Sequence, residues 1–572
     1  GLIDVSTLGK LEIAGTDAAE LIERIYTGRF AKMKPGTSRY GLMCDESGVI
    51  IDDGVIGRLA DERFYVTTTT TASGSIYREM QRWAILWKLD VVLANVTGAF
   101  AAMNLAGPRA RSILAELSDV DTRESSFPYL ALREAKVLDV ACRILRTGFV
   151  GEVGYEIHVP AQWAGHLWDG ILQAGASAGI RPFGVEAQRV LRLEKGHVIV
   201  SQDTDGLTTP FEAGMTWAVK GDKPFFVGGR SLQILARKPL KRQLVGFTLP
   251  HDVSRPLPSE CHLVIDRGQI VGRVTSIVHS PTLSKPIGLA YVPPSQSLFG
   301  ARFQIRGEAG RMIEATVVEL PFYDRTNARQ RQDAAVIKSP SVGEALGVRR
   351  QASGAGLPLR TSPVHEQLQQ LRPTWASIGD MPVAQRIGDE THERAACARL
   401  GLADVSALAR VTLKGPNAAE VLSREGLAPP ERIYECSDLA EDGGIIIRTG
   451  RAEFLVEDPW DGTTVERLRQ AVAASSAGVL AVWRQDVSLA LVGSETLGLL
   501  SQVCSFNFRD ADRSAVMTQL AGVSVMLLRR QWQGLSGYQL WADGTYGPYL
   551  WNVLLGIARD LGGDAVGTGC LI

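Results

Sequence analysis

Two adjacent acids, Asp52 and Asp53, interrupt an apolar stretch between Ile50–Ile51 and Gly54–Val55–Ile56. A strand alternates its side chains between faces, so a sheet covered on one side turns one of the two inward. An inward carboxylate is expensive unless it is paired or used, and its natural use is to take or steer a proton. The competing reading is a surface turn between two hairpin strands. Glu156, in GYEIHV, offers two oxygens that can accept parallel hydrogen bonds from an amidine-like edge, or it simply faces solvent. Arg192, in QRVLRLEKG, carries a planar fork suited to a ligand carboxylate, or it pairs with Glu186 or Glu194 along a helix. Tyr40 and Phe149 could flank a planar ring, although a lone aromatic more often packs a core.

Other chemistries find little footing. The seven cysteines, at 44, 142, 261, 397, 436, 504 and 570, form no CxxC, and the eight histidines form no HExxH. The thiols read as buried side chains in a reducing compartment, with no metal implied. Neither GxGxxG nor GxxxxGK[ST] occurs, which leaves a dinucleotide or nucleoside triphosphate without its usual phosphate loop. With 61 Lys and Arg against 62 Asp and Glu, the net charge of −1 argues against nucleic-acid or anionic-membrane binding. No apolar run approaches the ~18–20 residues that span a bilayer, and GLIDVSTLGK lacks the features of a signal peptide, so the expected location is cytoplasmic. The opening Gly1, not Met, suggests that natural sequence lies upstream.

The elements that must position these residues are organised by a repeat. GLIDVSTLGKLEIAGTDAAE at the start returns as GLADVSALARVTLKGPNAAE at 401–420, identical at ten of twenty positions. FAAMNLAGPRARSIL from Phe100 is echoed from Asp486, and GEVGYEIHVPAQWAGHLWDGIL from Gly151 is echoed from Gly534. In each copy an alternating strand leads into a helix, started by Asp17 with Glu20 and by Asn417 with Glu420 as capping boxes. IIDDGVIGRL and RFYVTTTTT read as a hairpin, giving α+β layering with largely antiparallel sheet. In the second copy Ile447 and Arg448 fall at Asp52 and Asp53, and Gln539 falls at Glu156, so that copy lacks both acids. From 241 to 323 short strands at close spacing predict an all-β barrel or sandwich. Residues 324–375 read as a linker or strap, and 376–572 as the shortened second copy.

GLIDVSTLGK, RYGLMCDESGVIIDDGV, GFVGEVGYEIHVP, VLRLEKGHVIVSQDTD, TPFEAGMTW and HSPTLSKPIGLAYV together resemble the folate-dependent aminomethyltransferase, or glycine-cleavage T-protein, fold family. Over about 1–331 the likeness is greatest to the C-terminal half of heterotetrameric sarcosine oxidase alpha subunits, and 375–572 resembles the gamma subunit. The resemblance implies a folate-binding domain over 1–240, its N-terminal edge truncated, with the β module behind it. It implies tetrahydrofolate as cofactor and Asp52 as the catalytic acid beside N5 and N10. Glu156 would grip the pterin edge, Tyr40, Thr69 and Phe149 would line the pocket, and Arg192 would lie near the folate's glutamate tail. Phe149 replaces the tyrosine of glycine-cleavage enzymes, which points to the sarcosine-oxidase branch.

The implied reaction captures the carbon released from an oxidised N-methyl amine as 5,10-methylenetetrahydrofolate. Flavin and NAD would belong to upstream sequence or to a flavoprotein beta-like partner subunit. Two alternatives stay open: a stand-alone aminomethyltransferase or demethylase, and a non-catalytic scaffold of a flavoprotein amine oxidase. The linker and second copy are expected to bury apolar surface against partners.

Overall fold

The structure is a computed structural model that describes residues 1–250, 256–331, 360–439, 443–474, 478–508 and 514–572. It divides into two compact units, one of Gly1–Thr97, Ala101–Val159 and Trp168–Gln351, the other of Gly98–Phe100, Pro160–Leu167 and Ala352–Ile572.

In the first unit one sheet has the order β3-β4-β5-β2-β6, built from β2 (Gly9–Ala14), β3 (Thr37–Cys44), β4 (Ile50–Ala60), β5 (Arg63–Thr68) and β6 (Val92–Asn95). The expected hairpin is β4 with β5, antiparallel. Helices α1 (Ala18–Ile25) and α2 (Ser73–Leu86) cover one face of this sheet. In α1 the buried positions Ala18, Leu21, Ile22 and Ile25 follow helical spacing, and they meet Leu11, Ile13, Phe64 and Val66 of the strands. Full burial of such a side chain contributes ~1.5–3 kcal/mol. The capping box does not form: the Asp17 carboxylate accepts from the Asp90 amide at 2.8 Å, which ties the start of α1 to the chain that follows α2.

The opposite face carries Lys10, Glu12, Tyr65 and Thr67, and it faces a second sheet of order β1-β7-β10-β9-β8. That sheet comprises β1 (Leu2–Asp4), β7 (Phe100–Ala106), β8 (Leu132–Val137), β9 (Val140–Leu145) and β10 (Gly154–Pro160). Polar cross-contacts join the two faces, Arg143 to Glu12 at 3.1 Å and Tyr65 to His158 at 2.9 Å.

After helices α3 (Ala110–Leu117), α4 (Ala164–Ala174) and α5 (Val185–Glu194), six strands close a barrel of order β11-β14-β13-β12-β15-β16. These are β11 (Gln243–Thr248), β12 (Leu263–Asp266), β13 (Gln269–Ser280), β14 (Lys285–Val292), β15 (Arg302–Arg306) and β16 (Met312–Val318). The all-β reading is thereby resolved as a barrel, filled by Val245, Phe247, Val264, Val274, Ala290 and their neighbours.

The linker reading needs correction at both ends. Residues 324–331 pack on the first unit, where Lys195 Nζ donates to the Asp324 carbonyl at 2.7 Å and to Asn327 Oδ1 at 2.8 Å. Helix His365–Gln370 and Val364 before it belong to the second unit's core, with Val364 and Leu368 buried. Residues 332–359, the middle of the expected strap, lie outside the described residues.

In the second unit the strands are β17 (Thr374–Ile378), β18 (Met381–Arg386), β19 (Gly401–Asp404), β20 (Arg410–Lys414), β21 (Cys436–Asp438), β22 (Ile445–Gly450), β23 (Glu453–Glu457), β24 (Leu480–Trp483), β25 (Val487–Val492), β26 (Val516–Leu520), β27 (Val523–Trp532), β28 (Leu535–Ala542) and β29 (Asp564–Ala565). They form sheets of order β21-β22-β23-β20-β24 and β26-β27-β28-β25-β19-β29, plus the hairpin β17–β18.

Register overturns one alignment made on sequence alone. Arg448 lies opposite Phe454 as Arg58 lies opposite Phe64, and each guanidinium stands 5.3 Å from that ring's centre while donating to nearby carbonyls. Arg448 is therefore the counterpart of Arg58, not of Asp53. The positions in line with Asp52 and Asp53 are 442 and 443; the first lies outside the described residues and the second is Gly443.

Candidate functional site

The two acids alternate faces in regular register, Asp52 opposite Met43 and Asp53 opposite Leu42, and both are withdrawn because both faces of the sheet are covered. A bulge at Ile51 lies just before them on β4. Asp52 is buried and Asp53 half-buried. Gly54 beside them is required by close approach, since a Cβ there would meet the Thr67 carbonyl oxygen at 1.8 Å. The strand's next amide, of Val55, donates to Thr67 Oγ1 at 2.9 Å.

Asp52 Oδ1 accepts from the Thr69 amide at 3.2 Å and from Thr69 Oγ1 at 2.7 Å. Asp53 Oδ2 accepts from the Tyr40 hydroxyl at 2.9 Å, and the Tyr40 ring leans on Trp217 with centroids 5.3 Å apart. Loss of hydration raises the Asp52 carboxyl to about 6, against the opposing pull of the Thr69 hydrogen bonds. Burial and then the neighbouring Asp52 charge raise Asp53 to about 7. Two adjacent carboxyls of this kind exchange protons near neutral pH as a pair.

Glu156, on β10, is buried, and its carboxylate lies 3.5 Å from His158 Nε2. Its place relative to Asp52 follows from register. Glu12 pairs with Tyr65 and Lys10 with Thr67, so each pair is one step along the inner face. Arg143, paired with His158, stands over the Glu12–Tyr65 step. Glu156, two residues from His158 on the same face of β10, is near enough for its charge to act on Lys10. Thr69, which holds Asp52, lies just past the end of β5, and Asp52 pairs with Met43 of the helix-covered core. The inner face thus carries Tyr65 and the Lys10–Thr67 step near Glu156, with Thr69 and Asp52 at the end of β5.

Of the residues expected from sequence, Asp52 and Thr69 are in contact, Tyr40 meets the adjacent Asp53, and Glu156 lies on β10 of the facing sheet. Phe149 is half-buried and packs on His197 with ring centroids 5.5 Å apart, while its carbonyl accepts from His197 Nδ1 at 2.8 Å. Arg192 requires correction, because it is fully buried and committed. Its Nη1 donates to Asp203 Oδ2 at 2.6 Å and to the His197 carbonyl at 2.8 Å, and its Nη2 donates to Ser276 Oγ at 2.7 Å. It locks α5 to β13, and neither Glu186 nor Glu194 is its partner. Glu194 instead accepts from Ser280 and Thr282.

Lys10, Tyr65 and His158 went unnoticed in the sequence. Lys10 is fully buried, its Nζ donates to the carbonyls of Ser6 and Leu8 at 2.8 Å each, and burial depresses it to about 8. A signal existed for two of them: His158 is two residues from Glu156 and so shares its strand face, and Lys10 is a lone cation inside an alternating strand.

In the second unit a buried carboxylate is closed off by its own neighbours. Glu457, paired with Arg410, accepts from Arg410 at 3.3 Å, Arg530 at 3.1 Å, Gln539 at 3.0 Å and Trp541 Nε1 at 2.8 Å. All five side chains are buried or nearly so, and the carboxylate's accepting capacity is taken up by the protein itself.

Among the described residues no group of three His, Cys, Asp or Glu side chains could hold a metal ion, and no helix is long and apolar enough to cross a membrane. The GCVT N-terminal domain matches residues 1–223, and the glycine cleavage T-protein C-terminal barrel domain matches 242–324. A sarcosine oxidase subunit alpha from Corynebacterium sp. (strain P-1) is 36% identical over 342 residues, 58% of this chain and 35% of that one. An aminomethyltransferase from Halothermothrix orenii is 34% identical over 327 residues, 56% of this chain and 88% of that one. The crystal structure of glycine cleavage system aminomethyltransferase T from Bartonella henselae is similar at a TM-score of 0.51 and 27% identity, over 56% of this chain and 86% of that one. The chain spans about a third of the length of the sarcosine oxidase alpha subunits that it matches.

Proposed function

The chain belongs to the glycine cleavage T-protein family, and from that premise we propose that its first unit binds tetrahydrofolate and catalyses one-carbon transfer within a sarcosine oxidase-like assembly. The observation that carries this reading is Asp52, a buried carboxyl with a proton affinity near neutral, held by Thr69 at the end of β5, the strand whose Tyr65 reaches His158 beside Glu156.

The donor set fits such a ligand. Glu156 has accepting capacity that His158 at 3.5 Å does not exhaust, and a pterin presents adjacent N–H donors. Tetrahydrofolate, when bound, supplies the amine nitrogens that take up the carbon as 5,10-methylenetetrahydrofolate. Glu156 orients the ligand by accepting its N–H groups. Asp52, its Oδ1 fixed by Thr69, takes the proton that carbon transfer releases and stabilises neighbouring positive charge. Asp53, hydrogen-bonded to Tyr40, holds a second exchangeable proton beside it.

The sarcosine oxidase alpha relatives support an N-methyl amine as carbon source and a flavoprotein beta-like subunit as partner, with flavin and NAD outside this chain. The 88% coverage of a stand-alone aminomethyltransferase favours a second reading, in which the first unit acts alone on a preformed carbon donor. We further propose that 376–572 is a shortened second copy of the fold, gamma-like and non-catalytic. Its strand orders parallel those of the first unit, and the self-satisfied Glu457 offers a ligand little. Such a copy fits a scaffold role toward partner subunits.

The pH dependence tests the role of Asp52. Its base form accumulates as pH rises through about 6, so the single-turnover transfer rate with saturating tetrahydrofolate should climb between about pH 5 and 8 and then level. A rate that stays flat across that range would show that no carboxyl of the pair acts as base.

A further inference from the structure

Behind Glu156 runs a line of buried groups. Arg143 is ion-paired with Glu12 at 3.1 Å and hydrogen-bonds the Tyr65 oxygen. The Tyr65 hydroxyl lies 2.9 Å from His158 Nδ1, and His158 Nε2 lies 3.5 Å from Glu156 Oε2. Every member is at least nine-tenths buried, from Tyr65 and His158 at 0% exposure to Glu156 at 9%.

Donors and acceptors in this line have one consistent assignment. A guanidinium has no acceptor, so Arg143 donates to the Tyr65 oxygen, and the Tyr65 proton then points at Nδ1 of His158. Burial holds this imidazole below its usual range, against the raising pull of Glu156, so it is neutral and carries one N–H. With Nδ1 accepting, that hydrogen sits on Nε2 and faces the carboxylate. The other tautomer would set a ring lone pair against Glu156 Oε2. The charged groups around His158 are Glu156 on its own strand, Arg143 on β9 and Lys10 on β2.

We infer that His158 is a positioning residue for Glu156: its Nε2–H fixes Oε2, which leaves Oε1 as the oxygen that receives a ligand's N–H, while Tyr65 and Arg143 set the required tautomer. The inference rests on the ligand-gripping reading of Glu156, and it makes the grip directional.

The test uses the full chain, tetrahydrofolate as probe, and calorimetry beside thermal melts. His158→Gln keeps an N–H at the ε position, whereas His158→Asn keeps one only at the δ position. His158→Asn should weaken binding about tenfold or more, with the transfer rate at saturation changed little, and His158→Gln should stay within about threefold of the parent. In 15N-histidine-labelled protein, His158 should show Nδ1 unprotonated and Nε2 protonated, and Tyr65→Phe should blur that preference. Equal binding by the Gln and Asn variants, with Glu156→Ala still abolishing binding, would overturn the relay and leave the folate site standing. If parent and Glu156→Ala bind alike, or neither binds, the ligand-gripping reading fails and His158 loses its role with it. The 15N shifts then decide the tautomer separately, and a protonated Nδ1 would overturn the hydrogen-bond line itself.

Discussion

Asp52→Asn should slow one-carbon transfer by about 10²–10⁴-fold, the range for loss of a positioned acid–base group, while leaving tetrahydrofolate affinity nearly unchanged. The amide still accepts from Thr69 but takes no proton. The same variant should be more stable than the parent at pH 8. Asp52 titrates at about 6 in the folded chain against an ordinary 3.8, so the folded state holds its proton more tightly. Stability from that proton is fully present below the ordinary value and is lost as pH rises through about 6. Above that the buried charge costs roughly 2–3 kcal/mol, and Asn removes the cost. Melts of parent and variant should therefore separate at pH 8 and converge near pH 4. A slower enzyme that melts higher marks a residue held for chemistry; a variant that transfers at the parental rate would contradict the role.

Asp203→Ala should destabilise the first unit by about 3–5 kcal/mol, as expected when one partner of a buried ion pair is removed. Asp203 Oδ2 accepts from Arg192 and from the Ile199 amide at 2.9 Å, and Oδ1 accepts from Thr275 at 2.7 Å and Ser276 at 2.5 Å. Alanine strands the fully buried Arg192 charge and leaves two hydroxyls short of their acceptor. Denaturant unfolding followed by tryptophan fluorescence measures the loss. Glu186→Ala, which removes an exposed partner of Arg189, should shift stability by less than about 0.5 kcal/mol. Had Arg192 served a ligand, Asp203→Ala would chiefly weaken binding and spare stability.

Local pattern made much of this fold legible. Helical spacing in Ala18–Ile25, the hairpin of β4 and β5, and the close strands of the barrel all rest on interactions between residues near in sequence. The candidates Asp52 and Glu156 were legible because a carboxylate in an apolar strand is anomalous wherever the strand lies. What stayed hidden depended on distant partners. The partner of Arg192 on β13, Ser276, is 84 residues away, beyond any helical spacing rule. The withdrawal of both Asp52 and Asp53 depends on cover over both faces of the sheet by residues distant in sequence. The match of Arg448 with Asp53 does not survive strand register, since Arg448 pairs with Phe454 as Arg58 pairs with Phe64. The His158 tautomer is set by Tyr65, 93 residues earlier.

The central claim, that the inner face of the first unit is a working folate site, is tested most directly by calorimetric titration of tetrahydrofolate into the purified chain and into its Glu156→Ala variant. Saturable one-site binding by the parent, weakened about 100-fold or more in a variant that melts normally, is the predicted result for loss of a charged double acceptor. Equal binding by both proteins, or none by a well-folded parent, would contradict it.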